Sequence, residues 1–445
     1  MKRRMISALL AGALCTGTAI VPAGAVHVTD IAGLGVMAAV SAVSSALESD
    51  DVHAAPPVQD GASIGFRGLE ETVRANNQTI QAFKKTLAGI ANTNLDAQFW
   101  AQEMQYQVQL NEYSKQVNAY ETYIKSLEVL KDGGDSNATI DAQITMAESL
   151  LKVAQAGAAQ ISAIIDGLDD AQEDAENELD DTYASTEKQL ENAANQIVVG
   201  AQTAYLGVIT IREGIETLDR NLAALDRNIQ VVEKQVEIGM ASELTLENLK
   251  QARRTAAAQR ETLVLQQTTT ENQLSLLCGN TADTTVHPTT APTVTEQQLA
   301  EMNYEKDLDE ALDNSYSIWS ARDEMRQASN DYEDDVTSTV DAYEAAKLNL
   351  EYAEENVTNS FRQLYLDVQD KKRLLDEAQA AYENEQRNFA VDELQYERGM
   401  ISKIDYLTAQ DDLAAQEDAV RTAEHDLFSA YNTYDWAKRG YMAGA

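Results

Sequence analysis

Apolar residues recur along most of this chain in alternating steps of three and four. Val208, Ile211, Ile215, Leu218, Leu222, Leu225, Ile229, Val232 and Val236 form one unbroken series. That is a heptad seam, and it predicts a long helix packed against another as a coiled coil. Phe361, Leu364, Val368, Leu375, Ala378, Tyr382 and Phe389 follow the same rule, interrupted by Lys371 and Glu385. Val420, Ala423, Leu427, Ala430, Tyr434 and Ala437 repeat it near the end. No Gly or Pro occurs between Thr293 and Arg398, so the polar run Tyr332-Glu333-Asp334-Asp335 is the expected turn. A helix over Val336–Glu397 would be ~93 Å long, a closing helix over Lys403–Lys438 ~54 Å, and an opening helix over Asp307–Asp331 ~38 Å. The two shorter lengths together roughly match the longer one. Two short helices stacked end to end against one long helix is the geometry this implies.

The pattern occurs twice. Val236-Glu237-Ile238-Gly239-Met240-Ala241-Ser242-Glu243-Leu244 resembles Tyr396-Glu397-Arg398-Gly399-Met400-Ile401-Ser402-Lys403-Ile404, 160 residues on. At that offset Tyr205 falls on Tyr365. Leu277-Cys278-Gly279 falls on Lys438-Arg439-Gly440 with a slip of one. Upstream, Leu69-Glu70-Glu71 resembles Leu308-Asp309-Glu310. Each repeat therefore reads as an opening helix, a long helix, a Gly-marked turn and a closing helix. The Thr-rich segment with Pro288 and Pro292 separates them. Gly200, Gly207 and Gly214, seven apart, predict close approach of a second helix. Leu69 to Gly239 spans 170 positions, but Leu308 to Gly399 only 91. The surplus reads as an inserted helical hairpin with turns near Asp132-Gly133-Gly134 and Asp166-Gly167-Leu168. The organisation expected is residues 1–25 as a signal peptide and 26–64 as an N-terminal linker. Residues 65–279 form a first repeat carrying the hairpin at about 93–170, 280–297 a Thr/Pro linker, and 298–441 a second repeat. The fold class is all-α.

The signal peptide rests on Lys2, Arg3 and Arg4 before an apolar run to Val21, then Ala23-Gly24-Ala25 for cleavage. Its removal leaves Cys278 as the one cysteine, so no internal disulfide forms. Ile31–Leu47 is weakly apolar and short for a membrane span, which favours a linker over an uncleaved anchor. The net charge of −39 repels phosphate backbones and argues against nucleic-acid binding.

Enzymatic chemistry is not indicated. The four histidines, His27, His53, His287 and His425, lack metal-ligand spacing. There is no phosphate-cradling Gly loop and no nucleophile elbow. Asp169-Asp170, Asp180-Asp181 and Asp334-Asp335 lack a calcium-loop pattern and read as solvated helix faces. No cofactor and no metal is expected.

The residues Tyr205, Tyr365, Gly239, Gly399, Gly279 and Gly440, and above all Tyr396-Glu397-Arg398-Gly399-Met400-Ile401-Ser402, resemble the TolC-type outer-membrane efflux proteins. The resemblance covers about 69–92 and 181–441. It implies a homotrimeric helical tunnel that works with an adaptor protein and a membrane pump. It places the partner-binding tip at Gly239, Met240, Ala241, Gly399, Met400 and Ile401, and the aperture at Asp405 and Tyr396. Thr408 stands where relatives carry a second acid, and Thr245 stands where Tyr396 would need an acidic partner. Family members carry two β-strands per repeat for a membrane barrel. Repeat two has no room for them, and repeat one has helical sequence there. The resemblance therefore implies an exported, barrel-less duct protomer of the cell envelope: outer membrane by family, periplasmic or extracellular by the missing barrel. The alternative is a secreted coiled-coil rod without transport activity.

Overall fold

The computed structural model describes residues 61–133, 138–281 and 284–442. The expected signal peptide, Cys15, Ile31–Leu47 and the linker up to residue 60 lie outside the described residues. The described chain is all-α apart from two three-residue strands, β1 (Ala62–Ile64) and β2 (Val286–Pro288), paired in parallel. It divides into two units, Lys84–Leu190 and the remainder.

The larger unit holds both repeats. In the first, α1 (Phe66–Asn76) and α2 (Gln78–Ala91) precede the long helix, and in the second α7 (Glu296–Glu301), α8 (Tyr304–Asn314) and α9 (Tyr316–Asn330) do so. The long helices are α5 (Leu168–Glu237) and α10 (Thr337–Glu397), and the closing helices are α6 (Glu243–Leu277) and α11 (Lys403–Lys438). Two helices, α3 (Leu95–Asp132) and α4 (Ala138–Asp166), lie in the smaller unit, together with the second half of α2 and the first part of α5. The closing helix of repeat two matches the expected bounds. The opening helix does not: the continuous stretch expected over Asp307–Asp331 is broken at Ser315. Ser315 leaves helical geometry, and its Oγ accepts from the Ile318 N–H to start α9. Asn77 plays the same part in repeat one, accepting from the N–H groups of Thr79 and Ile80.

Those two breaks show why the closing glycines are where they are. Gly279 and Gly440 have φ of 84° and 91°. A Cβ on Gly279 would lie 2.1 Å from the Asn76 carbonyl oxygen, and one on Gly440 would lie 2.1 Å from that of Asn314. The opening-helix break of each repeat thus rests directly on a closing glycine. Asn77 Nδ2 also donates to the Leu277 carbonyl at 2.9 Å. This contact corrects the register read from sequence. Asn76 corresponds to Asn314, so Leu69 corresponds to Asp307, one residue before Leu308.

Both positions are buried, with opposite chemistry. Leu69 packs with Val73, Tyr205, Leu274, Cys278 and, from repeat two, Trp436. Asp307 is 2% exposed and accepts from Tyr434 Oη at 2.5 Å, Lys438 Nζ at 2.6 Å and the Asn303 N–H at 3.0 Å. It sits beside the second core, formed by Ala311, Phe361, Val368, Leu375, Leu427, Ala430, Tyr434 and Ala437. The heptad seam of α5 is buried at Val208, Ile215 and Ile229 and half-buried between them. Gly214 and Gly207 face Leu263 and Thr270 of α6, while Gly200 faces open space, so two of the three glycines admit a neighbour.

In the smaller unit α3 and α4 run antiparallel. The Tyr113 ring lies over Gly157, where a Cβ would come within 2.5 Å of it, and Lys131 pairs with Asp141 at 2.7 Å.

Two predictions follow from this packing. Gly279→Ala or Gly440→Ala should each cost at least about 3 kcal/mol, since the new methyl meets a carbonyl at positive φ. Gly239→Ala or Gly399→Ala, at equally positive φ but with nothing within 4 Å, should cost only about 1–2 kcal/mol. Urea unfolding of the four variants checks the contrast. Burial pushes the Asp307 carboxyl up, but the hydrogen bonds from Lys438, Tyr434 and the Asn303 backbone outweigh it and hold the group below the usual carboxylate range. Its stabilisation is therefore complete above an unfolded pKa of about 3.9 and is lost as pH falls through the lower folded value. Asp307→Asn should lower stability at neutral pH and flatten the acid limb of a Tm-against-pH curve; an unchanged limb would contradict the assignment.

Candidate functional site

The two long helices end in the same backbone device. The Gly239 N–H donates to the Val236 carbonyl at 3.0 Å and the Met240 N–H to that of Gln235 at 2.7 Å. In repeat two the Gly399 N–H donates to the Tyr396 carbonyl at 2.9 Å and the Met400 N–H to that of Gln395 at 2.8 Å. With Gly239 at φ 75° and Gly399 at 71°, both are Schellman turns, which demand a residue tolerant of left-handed geometry.

Gly279 and Gly440 close their helices by the same hydrogen-bond pattern, through Asn280 to Ser275 and Tyr441 to Trp436. There the residue after glycine is used in folding: Asn280 is buried, and Tyr441 packs edge-on against Trp436 at 5.9 Å. In the other pair it is not. Met240 is 75% exposed and Met400 70%. Ile238, Leu244, Leu394 and Ile404 are exposed beside them, while Ala241 and Ile401 are half-exposed. An apolar residue following a Schellman glycine ordinarily packs back on its own helix, so these methionines present apolar surface that the fold leaves unused.

The closing helices begin immediately after. Ser242 Oγ accepts from the Thr245 N–H at 3.1 Å, and Ser402 Oγ from the Asp405 N–H at 3.2 Å. Asp405 completes a capping box. Its Oδ2 accepts from the Ser402 N–H at 3.2 Å and from Ser402 Oγ at 2.7 Å. The expected aperture acid is thus tied to its own helix start. Tyr396 stacks flat on Tyr406, centroids 4.6 Å apart, and Tyr406 also meets Phe389 at 5.6 Å.

Ion pairs set the two turns level. Arg227 pairs with Asp411 and Arg220 with Asp418, and His425 Nδ1 lies 3.1 Å from the Glu213 carboxylate in the same row. Arg227 lies twelve residues before Gly239, and Asp411 twelve after Gly399. Helix α5 therefore runs antiparallel to α11, and both turns stand at one end. The opposite side of α5 carries a second ladder to α6: Asp219–Arg260, Asp226–Arg253 and Glu233–Lys250 at 3.1 Å. On α5 and α11 these partners recur every seven residues, and on α6 they are three and seven apart, a spacing present in the sequence beside the apolar seam. Sequence reasoning attended to the seam and missed the charges flanking it.

Outside the turns the larger unit carries a groove of about 730 Å³, lined by Phe66, Glu70, Phe428, Tyr431 and Arg439 among others. Arg439 spans it, pairing with Glu70 at 3.1 Å while lying over the Trp436 ring. Among the described residues no group of His, Cys, Asp and Glu is arranged to hold a metal ion, and no helix is long and apolar enough to cross a membrane. Cys278 is buried, which pushes its thiol up to about 12, away from thiolate chemistry.

No family profile and no curated protein matches the chain. Solved structures do. The outer membrane protein VceC of Vibrio cholerae aligns at 14% identity over 60% of this chain and 75% of its own, with a TM-score of 0.43. A membrane protein from Pseudomonas aeruginosa aligns at 12% identity over 88% of this chain and 97% of its own, TM-score 0.48. The CmeC outer membrane channel of Campylobacter jejuni aligns at 15% identity over 62% of this chain and 69% of its own, TM-score 0.36.

The capping box gives this site its own prediction. Asp405→Ala should cost about 1 kcal/mol by releasing one side of the α11 start, and Ser402→Ala a similar amount. Asp405→Asn, which keeps an acceptor, should cost less. Chemical denaturation of wild type and the three variants measures the order; wild-type stability in Asp405→Ala would show that Asp405 does not act as a cap.

Proposed function

We propose that this chain is a TolC-like efflux or export duct component, a helical tunnel protomer that assembles as a homotrimer in the cell envelope. Its turn end docks with an adaptor protein and, through it, a membrane pump. The observation that carries this reading is the pair of level Schellman turns, each displaying an exposed methionine that plays no part in its own helix. Flexible apolar Met at a wet end suits an adaptable protein–protein contact. Gly239, Met240 and Ala241 with Gly399, Met400 and Ile401 make the docking tip. Asp405 and Tyr396, one turn behind, line the aperture. In a trimer the Asp405 carboxylates would form a ring that favours cations.

A second reading is a secreted coiled-coil rod or interaction protein of the envelope. It is favoured by the α3/α4 hairpin and by the absence, among the described residues, of any strand longer than three residues. The two readings part at the tip. Met400→Asp should reduce recovery of envelope adaptor proteins in a pull-down at least tenfold while leaving the far-UV circular dichroism unchanged. Equal recovery by both proteins with equal helicity would sink the docking tip and favour the rod.

A further inference from the structure

The groove lined by α1 and α11 takes no part in the docking tip or the aperture, yet it has the make-up of a binding site. Its volume of about 730 Å³ suits a small organic molecule. Part of its wall is aromatic. Phe66 and Phe428 meet edge-on at 4.9 Å, and Tyr431 lines the same groove.

Gln202 of α5 also lines it and is only 4% exposed. Its Oε1 accepts from Trp436 Nε1 at 2.7 Å and from Asn432 Nδ2 at 2.9 Å. An indole N–H can only donate, so the amide cannot be turned the other way round. Gln202 Nε2 is thereby left as a donor with no partner among the described residues. A donor so far withdrawn from water is normally paired, and the acceptor it lacks can arrive from the groove.

The charges agree with an incoming acceptor. Glu70 is engaged by Arg74 at 2.9 Å and by Arg439 at 3.1 Å, and Asp435 by Arg439 at 3.1 Å. Both carboxylates of the wall are thus already paired. Arg67 is not. It is exposed, lines the groove and has no ion pair among the described residues. The charge that the groove has left to offer is therefore positive, in a chain of net charge −39.

We propose that this groove binds a small aromatic carboxylate. The carboxylate accepts from Gln202 Nε2 and pairs with the Arg67 guanidinium, whose planar fork suits it. The ring lies against Phe66, Phe428 and Tyr431. Phe66, Arg67 and Gln202 belong to repeat one and Phe428 and Tyr431 to repeat two, so a ligand held there favours the arrangement that joins the repeats. The site depends neither on assembly nor on the tip.

The test uses the full chain with 2-naphthoate as probe. Calorimetric titration should show one saturable site per chain with a Kd below about 1 mM, and saturating naphthoate should raise the Tm. Acetate lacks the ring and 2-naphthylmethanol lacks the charge, so each should bind at least tenfold more weakly. Arg67→Gln alters an exposed side chain and should weaken naphthoate binding at least tenfold with helicity unchanged. Gln202→Glu keeps an acceptor for Trp436 and Asn432 but removes the amide donors, and should weaken binding as much. Should Gln202→Glu fail to fold, Arg67→Gln decides alone. No saturable binding by the wild type, equal affinity for 2-naphthylmethanol or for acetate, or undiminished affinity in Arg67→Gln would each overturn the site.

Discussion

The close approach of Gly279 to Asn76 and of Gly440 to Asn314 is the constraint on which the repeat architecture depends. A long two-helix coil has no intrinsic stop along its axis, because every heptad offers nearly the same seam. The glycine contact supplies the stop. It admits one backbone against another where any side chain would collide, and so ties each opening helix to one level of its closing helix. From there the cores follow: Leu69 and Val73 come to Tyr205 and Leu274, Ala311 comes to Phe361 and Tyr434, and Asp307 comes to Lys438. Ion pairs every seven residues then hold α5 in register with its neighbours on two sides. Each exposed pair contributes little, but a ladder of mutually consistent pairs selects one register among many that the apolar seam alone would tolerate.

Much of this was legible in the sequence. The heptad seam, the turns at Gly239 and Gly399 and the extent of α11 came from periodicity and from glycine's conformational freedom, which are local properties. The break at Ser315 was not legible. Serine sits adequately in a helix interior, and only the approach of Gly440 makes it the start of a new one. The one-residue error that matched Leu69 with Leu308 has the same origin. Chemistry favoured aligning leucine with leucine, whereas the fold aligns leucine with a buried carboxylate whose partners, Tyr434 and Lys438, lie far along the chain. The candidate tip was readable as a repeated Gly-Met pair. What the sequence withheld was the difference between Met240, exposed, and Tyr441, folded back on Trp436, since both follow the same glycine turn. Asp405 looked like an aperture acid because of its place. Its hydrogen bonds make it a helix cap, a role its place in the sequence did not announce.

Acidity has a bounded role in this picture. Carboxylates dominate the exposed faces, and many of the cations present are spent on them in ladders.

The distribution of burial along the helices has a mechanical consequence. No residue is fully buried in α5 beyond Ile229, in α6 before Ala256, in α10 beyond Leu375 or in α11 before Leu427. Toward the turns the coil is held by half-buried seams and by ion pairs, while the glycine end is held by packed aromatic cores. Local opening therefore costs progressively less toward the turns, and amide-exchange protection grades along a single helix instead of being uniform. The glycine end behaves as an anchor and the turn end as a compliant lever. A load applied at Met240 or Met400 would be absorbed by slippage of the last few heptads before it reached Asn76 or Asn314.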